Sequence, residues 1–186
     1  MLFHVSASSL PTGTVLRPYA IAHDHRDLIW QAVRAIDEGP NAVATLLAGT
    51  AWNRLVSEEE FRVGMVLLEA AFERVRLRIA PALPGRFGAV FAWSALSDAV
   101  HYRDVYQPAG VIHSCTMVVG RRVERDGTLV VDAFEGANLA RPQATDLRRV
   151  EEHAVRYWGG QAPMVLREVL VEGTVLVEGV VAVPSL

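Results

Sequence analysis

The sequence predicts an α+β fold, in which helices and strands occupy separate stretches instead of alternating regularly. Three observations support this class. Residues 25–80 carry helical periodicity, valine-rich stretches with strand periodicity follow, and Leu166–Val183 is apolar at nearly every second position. With 186 residues, 51% of them hydrophobic, the chain can fill the core of a single domain, 1–186.

The first half of the chain predicts a strand followed by a helical block at about 25–80. "LFHVSA" predicts the strand, and "SSLPTGTVLRP" predicts a turn and a second short extended segment. "HRDLIWQAVRAIDEG" predicts an amphipathic helix that Gly39 and Pro40 end, and "NAVATLLAGTAWNRLV" predicts a second helix. Ser57 and Glu60 predict a capping box for a third helix, which ends before Pro81.

The second half predicts strands with interspersed helices. "RFGAVFAW" and "GVIHSCTMVVG" predict strands, and "SALSDAVHYRDVY" between them predicts a helix. "RDG" predicts a turn, after which "TLVVDAFE" continues a hairpin. "TDLRRVEEHAVRYW" predicts an amphipathic helix opened by Thr145. The C-terminal stretch predicts one strand, or two strands joined at Gly173 or Gly179.

Composition limits the classes of function. The formal net charge of −3 disfavours strong non-specific binding to nucleic acid, which depends on neutralising phosphates. No apolar run reaches the roughly 18–20 residues of a membrane span, and "MLFH" has no basic segment of a signal peptide. The single Cys115 cannot form an internal disulfide. We therefore expect a cytoplasmic protein that does not bind membranes.

Several common motifs do not occur in the sequence. It contains neither G-x-G-x-x-G nor G-x-x-x-x-G-K-[ST], so Rossmann and P-loop nucleotide sites are not expected. His23 and His25 offer two ligands of a metal site or, alternatively, a polar start to the first helix, and we predict no metal. His113 and Cys115 lie in an apolar strand, where a structural role is expected.

Three polar residues are predicted to lie near the starts of strands, and each has two interpretations. His4 is either a core histidine or, together with Ser6, a hydrogen-bonding group for a ribose or an amide. Arg86 follows a Pro-Gly turn and is either a solvated strand end or an anion clamp. Glu168 is either an ordinary edge carboxylate or the carboxylate of a site.

Three stretches together resemble the ADP-ribosyltransferase fold. "FHVSASSLPTGTVLRP" resembles its first strand, "[YF]-H-x-[ST]", and "LPGRFGAVFAW" resembles the segment that enters the second half of the sheet. "RYWGGQAPMVLREVLVEG" resembles the loop and strand of the catalytic glutamate. The chain is similar to small bacterial NAD-dependent mono-ADP-ribosyltransferases, including DNA-targeting toxins. The resemblance implies a split β-sheet core with the helical block inserted.

The resemblance also implies roles for individual residues. Glu168 would hold the nicotinamide ribose and stabilise the oxocarbenium character that develops as nicotinamide leaves. Glu172 and Glu135 are alternative carboxylates. The loop Gly159–Leu166 would select the acceptor. The other implied NAD contacts are His4 and Ser6 at a ribose, Arg86 at the diphosphate, and one of Phe91, Trp93 and Tyr102 stacked on nicotinamide.

The expected function is transfer of ADP-ribose from NAD to a protein or nucleic acid by a toxin, effector or defence-related factor. Its expected partners are NAD, the acceptor and, for a toxin, a cognate inhibitor or antitoxin. Two other enzymes on this fold are an NAD glycohydrolase and an RNA 2′-phosphotransferase, for which Arg17, Arg86 and Arg167 would be the basic residues. A further alternative is an inactive interaction module that binds a partner through Trp30 and Trp52.

Overall fold

The computed structural model describes residues 1–18, 23–49, 60–139, 141–160 and 164–182, with the backbone alone at 23–26 and 60–63. It confirms the α+β class, since an antiparallel sheet and a set of helices take up separate parts of the chain. The chain divides into two compact units. The β unit comprises Met1–Tyr19, Leu83–Gly127 and Pro163–Leu186, and the helical unit comprises Ala20–Ala82 and Thr128–Ala162.

The secondary structure includes five strands and six α-helices within the described residues. The strands are β1 (Leu2–Ser6), β2 (Val15–Leu16), β3 (Val90–Trp93), β4 (Val111–Asp126) and β5 (Arg167–Val180). The helices are α1 (His23–Glu38), α2 (Pro40–Leu47), α3 (Glu60–Ile79), α4 (Leu96–Tyr106), α5 (Thr128–Glu135) and α6 (Ala144–Gly159). A short 3₁₀ turn, Arg86–Gly88, precedes β3.

Four of the strands form a closed antiparallel ring. β5 pairs with both β3 and β4, and β1 pairs with the same two strands on the other side. The β4–β5 ladder is the longest and runs from His113 opposite Val180 to Asp126 opposite Arg167. β2 adds to the later half of β5, where Val15 lies opposite Leu176. Closure leaves few unpaired strand edges, which protects the sheet from pairing with other chains.

A pair of glycines lies at the middle of the long β4–β5 ladder. Gly120 and Gly173 are directly opposed, with φ of 131° and 158°. A Cβ at Gly173 would lie 2.1 Å from the Val119 carbonyl oxygen, and one at Gly120 would lie 2.3 Å from the Glu172 carbonyl oxygen. The two backbones therefore approach more closely than any side chain permits. Glycine at such points is typical of a bend in a strongly curved sheet.

The two faces of the sheet carry different apolar clusters. Leu2, Ala92, Cys115 and Val169 belong to one fully buried cluster, which includes further valines of β5. Alternate residues of the same strands belong to a second cluster, in which α4 packs against the sheet through Ala99. This second cluster contains Phe3, Val5, Trp93, Ile112 and Leu166.

The helical unit packs around the buried side chains of α3 and α6. Phe72 lies edge-on to Tyr157, with ring centroids 5.3 Å apart. The indole Nε1 of Trp158 donates to the Phe72 carbonyl oxygen at 2.7 Å. Of the helices in the described ranges, none is both long enough and apolar enough for a membrane crossing.

The structure corrects two predictions of secondary structure and decides between the alternatives of a third. The stretch "TLVVDAFE" forms α5 and does not continue a hairpin, because β4 runs on to Asp126 and pairs with the distant β5. Of the two alternatives for the C-terminal stretch, the structure confirms one strand, since β5 passes through Gly173 and Gly179. The segment "RFGAVFAW" begins with the 3₁₀ turn, so Arg86 precedes the strand instead of starting it.

Several predictions lie outside the described residues. These are the capping interaction of Ser57, the docking role of Trp52 and the side chains of His23 and His25. The backbone of His23 and His25 belongs to the first turn of α1, which agrees with the interpretation as the start of a helix.

Candidate functional site

Glu168 is the second residue of β5 and occupies the sheet face that α4 covers. It lies opposite Trp93 of β3 on one side and opposite Arg125 of β4 on the other. Directly opposed residues in antiparallel strands point to the same face, so these three side chains are neighbours. The predicted position of Glu168 at a strand start is confirmed.

Arg86 forms a buried ion pair with Glu168. Its Nη1 donates to Glu168 Oε1, and the two side chains are only 7% and 11% exposed. This burial rules out the solvated interpretation of Arg86 and the interpretation of Glu168 as an ordinary edge carboxylate. The 3₁₀ turn before β3 places the guanidinium there, although the two residues are 82 positions apart in the chain.

Aromatic side chains surround the ion pair. The Arg86 guanidinium carbon lies 5.0 Å from the centroid of the Phe91 ring, which is within the range of a cation–π contact. Trp93 and Tyr102 are in ring contact with centroids 4.4 Å apart, and Tyr102 contacts Tyr106 at 5.4 Å. The structure thus gathers all three predicted aromatic candidates around Arg86 and Glu168.

The electrostatic surroundings of Tyr102 include both charges of the ion pair. Burial raises the pKa of the Tyr102 hydroxyl, the negative charge of Glu168 raises it further, and the positive charge of Arg86 acts in the opposite direction. The phenol is therefore neutral at physiological pH and retains a proton to donate. The Nε1 of Trp93 is buried and has no hydrogen-bond acceptor within the described part of the chain.

Asp98 anchors the start of β5, a role that the sequence did not reveal. Its Oδ2 accepts hydrogen bonds from the Arg167 backbone N–H at 3.2 Å and from Arg167 Nε at 2.9 Å. Asp98 is 8% exposed and lies in the first turn of α4. The only sequence signal is an acidic residue near a helix start, which is the ordinary pattern of helix stabilisation.

His4 and Ser6 lie on the opposite face of the sheet from Glu168. Phe3, not His4, is opposed to Trp93, and successive residues of a strand alternate between faces. His4 is instead opposed to His113 of β4. The structure therefore does not bring His4 and Ser6 together with Arg86 and Glu168.

The hydrogen bonds around His4 and Ser6 define a second polar cluster. His4 Nδ1 donates to the Phe91 carbonyl oxygen at 2.8 Å. Ser6 Oγ donates to the Ser8 carbonyl oxygen at 2.6 Å and so accepts from His113 Nε2 at 3.0 Å. Burial lowers the pKa of His4, the bond to Phe91 opposes this shift, and nearby His113 reinforces it.

The alternative carboxylates, the alternative basic residue Arg17 and the predicted acceptor loop occupy surroundings that differ from those of Glu168 and Arg86. Glu172 has the same strand parity as Glu168 but is exposed and forms an ion pair with Arg121. Glu135 belongs to α5 of the helical unit. Arg17 is exposed. Of the predicted acceptor loop, Met164 and Val165 are exposed, Leu166 is buried, and 161–163 lie outside the described residues.

The described residues contain no group of three or more histidine, cysteine, aspartate or glutamate side chains suited to a metal ion. The chemistry available at the ion pair is that of the Glu168 carboxylate, the Arg86 guanidinium, the neighbouring side chain of Arg125 and a set of aromatic rings. A guanidinium binds phosphate as readily as carboxylate, aromatic faces stack on planar rings, and a fixed carboxylate stabilises nearby positive charge.

Comparison with protein families finds a match to the family described as "Protein of unknown function (DUF2441)", over residues 51–182. The chain belongs to this DUF2441 family. The matched range covers well over half of the 186 residues and includes Arg86, Phe91, Trp93, Tyr102 and Glu168, whereas His4 and Ser6 lie outside it. None of the curated proteins matches the chain.

Proposed function

We propose that this protein is an NAD-dependent mono-ADP-ribosyltransferase that modifies a protein or a nucleic acid. The observation that carries the proposal is the buried Arg86–Glu168 pair on a sheet face lined by Phe91, Trp93 and Tyr102. Together with the three stretches that resemble this enzyme class, it supplies a carboxylate, a diphosphate-binding cation and aromatic rings.

In the proposed reaction, the bond between nicotinamide and C1′ of its ribose breaks, and the bonding electrons leave with nicotinamide. The ribose acquires oxocarbenium character, which the carboxylate of Glu168 stabilises. A nucleophilic atom of the acceptor then bonds to C1′ and loses its proton to solvent. Arg86 binds the diphosphate, and one aromatic ring holds the nicotinamide.

His4 and Ser6 have no assigned step in this proposal. Their predicted contact with a ribose rests on their residue types and on the resemblance, and they occupy the sheet face opposite Glu168. The proposal accordingly rests on Glu168 and Arg86. Cytoplasmic location, a toxin or defence role and a cognate inhibitor are further parts of the same proposal.

The deciding experiment combines calorimetry of NAD binding with measurement of nicotinamide release. Wild type is expected to bind NAD and to release nicotinamide, and Glu168→Gln is expected to bind NAD without releasing it. Glu172→Gln is the matched control, since it removes an exposed carboxylate from the same strand. Loss of release in the control instead would transfer the catalytic role to Glu172.

The second candidate is an interaction module without catalytic activity. The same ion pair favours it, because a carboxylate whose side chain is only 11% exposed and bonded to arginine resembles a structural group. Absence of NAD binding by wild type at millimolar concentration would favour this candidate. Release of nicotinamide without transfer would instead indicate an NAD glycohydrolase.

A further inference from the structure

Phe91 connects the two faces of the sheet. Its ring shares a face with Glu168, and the Arg86 guanidinium carbon lies 5.0 Å from the ring centroid. Its carbonyl oxygen accepts a hydrogen bond at 2.8 Å from Nδ1 of His4, whose side chain belongs to the opposite face. A displacement of the Phe91 backbone would therefore move the ring against which Arg86 lies.

The bond from His4 adds to a short contact between β1 and β3. Both strands are fully described, and Phe3 opposite Trp93 is the register pair that joins them. Phe91 lies two residues before Trp93 and is the second residue of the four-residue strand β3. The imidazole of His4 thus extends the attachment of β3 to β1 from the end of the strand back to Phe91.

We propose that His4 is a positioning residue, which holds the Phe91 ring against Arg86 through the Phe91 carbonyl and so sets the affinity of this face for its ligand. The inference rests on the proposed function, which assigns Arg86 to the diphosphate of NAD. His4 acts without touching the ligand, and the chemical step depends on Glu168. A change at His4 should therefore weaken NAD binding and leave the rate of nicotinamide release from bound NAD unchanged.

The chemistry of the bond provides two closely matched variants. The donor must be at the position of Nδ1, which is attached to Cγ of the side chain. Asparagine carries its amide nitrogen on Cγ and can donate to the same carbonyl oxygen, whereas the amide of glutamine lies one carbon further from the backbone. Both variants replace the imidazole by a neutral amide, but only His4→Asn keeps the donor in place.

The test combines calorimetric titration of NAD with measurement of nicotinamide release at saturating NAD. His4→Gln is expected to raise the Kd for NAD about fivefold, as for the loss of one hydrogen bond, and His4→Asn is expected to match wild type. The release rate should be the same in all three proteins. His153→Gln is the control, because Nδ1 of His153 also donates to a backbone carbonyl at 2.8 Å but lies in the helical unit.

A double variant separates positioning from direct contact with the ligand. Phe91→Leu removes the ring and keeps the carbonyl oxygen, so it should also weaken NAD binding. Adding His4→Gln to Phe91→Leu should cause no further loss, because His4 acts through that ring. Additive losses would overturn the proposal, since His4 would then contact NAD itself. Equal Kd values of His4→Gln and wild type would also overturn it, as would a His4→Asn variant as weak as His4→Gln.

Nuclear magnetic resonance tests the same bond without NAD. Nuclear Overhauser effects between the Phe91 ring and the Arg86 side chain should be present in wild type and His4→Asn and weakened in His4→Gln. For a His4→Gln variant that does not fold, the imidazole nitrogen shifts of wild type decide. A protonated Nδ1 of His4 at neutral pH supports the bond to Phe91, and an unprotonated Nδ1 overturns it.

The two proposals fail in different ways. Absence of NAD binding by wild type overturns the transferase, and the Overhauser effects in the variants then still decide whether His4 positions the Phe91 ring. Nicotinamide release by wild type, with one NAD affinity shared by wild type, His4→Asn and His4→Gln, supports the transferase and overturns the positioning role.

Discussion

Replacing Glu168 by glutamine removes one charge of a buried ion pair and should destabilise the protein. The partner side chains are 7% and 11% exposed, so the Arg86 cation would lose its counter-charge out of contact with most solvent. Breaking such a pair typically costs about 3–5 kcal/mol. A glutamine oxygen still accepts from Arg86, and a hydrogen bond to a charged group retains about 1.5–3 kcal/mol. We expect Glu168→Gln to lower the free energy of unfolding by about 2 kcal/mol.

Urea denaturation followed by circular dichroism measures this loss. With a slope of about 2 kcal/mol per molar urea, a loss of about 2 kcal/mol lowers the midpoint by about 1 M. Glu172→Gln is the matched control, because its ion pair with Arg121 has side chains that are 61% and 46% exposed. Such surface pairs contribute at most about 1 kcal/mol, so this variant should unfold close to wild type.

Two results would refute this account of the pair. One is a midpoint for Glu168→Gln that equals that of Glu172→Gln, since burial of the pair would then have no consequence. The other concerns the double variant Arg86→Gln with Glu168→Gln. The account is refuted if its loss in free energy of unfolding equals the sum of the losses of the two single variants. Residues in direct contact should instead show a coupling energy of about 0.5–3 kcal/mol.

Three further predictions concern other parts of the β unit. Gly173→Ala should lower the free energy of unfolding by at least about 2 kcal/mol, because the added Cβ would lie 2.1 Å from a backbone oxygen. Gly179→Ala is the control and should not destabilise the protein, because a Cβ there meets open space. Equal urea midpoints for the two variants would contradict this. Because the pKa of His4 is lowered from 6.5, its stabilising effect is present above pH 6.5 and lost as pH falls through the folded-state pKa. The urea midpoint of wild type should therefore fall as the pH is lowered below 6.5, and it should fall less steeply in His4→Asn. An equally steep fall in the variant would exclude His4 as its source. Burial raises the pKa of Cys115 to about 11, so its thiol should react with iodoacetamide at pH 8 only after unfolding, as mass spectrometry can check.

Local patterns were sufficient to predict most of the elements. The amphipathic spacing in α1 and α6, and the alternation in β1 and β5, place each residue relative to its neighbours in the chain. The position of Glu168 near the start of β5 followed from the same alternation. Such signals depend only on residues within one or two turns or strand repeats, which a single sequence contains in full.

The octet "TLVVDAFE" shows where local patterns were insufficient. Eight residues with three adjacent apolar positions are compatible with a short helix as well as with a strand. A hairpin required β4 to end early, but β4 continues because β5, which begins about forty residues after β4 ends, pairs with it as far as Asp126. Pairing with a distant strand thus decided both the length of β4 and the conformation of the octet.

The sequence by itself determined the α+β class, the order of most elements and the residue types available for a site. Only the tertiary structure decided that Arg86 and Glu168 form a buried pair and that His4 and Ser6 occupy the other face. The physical reason is that a strand has two faces, and its register against distant strands selects which face meets α4. That register depends on contacts across the whole β unit, which no local stretch of sequence contains.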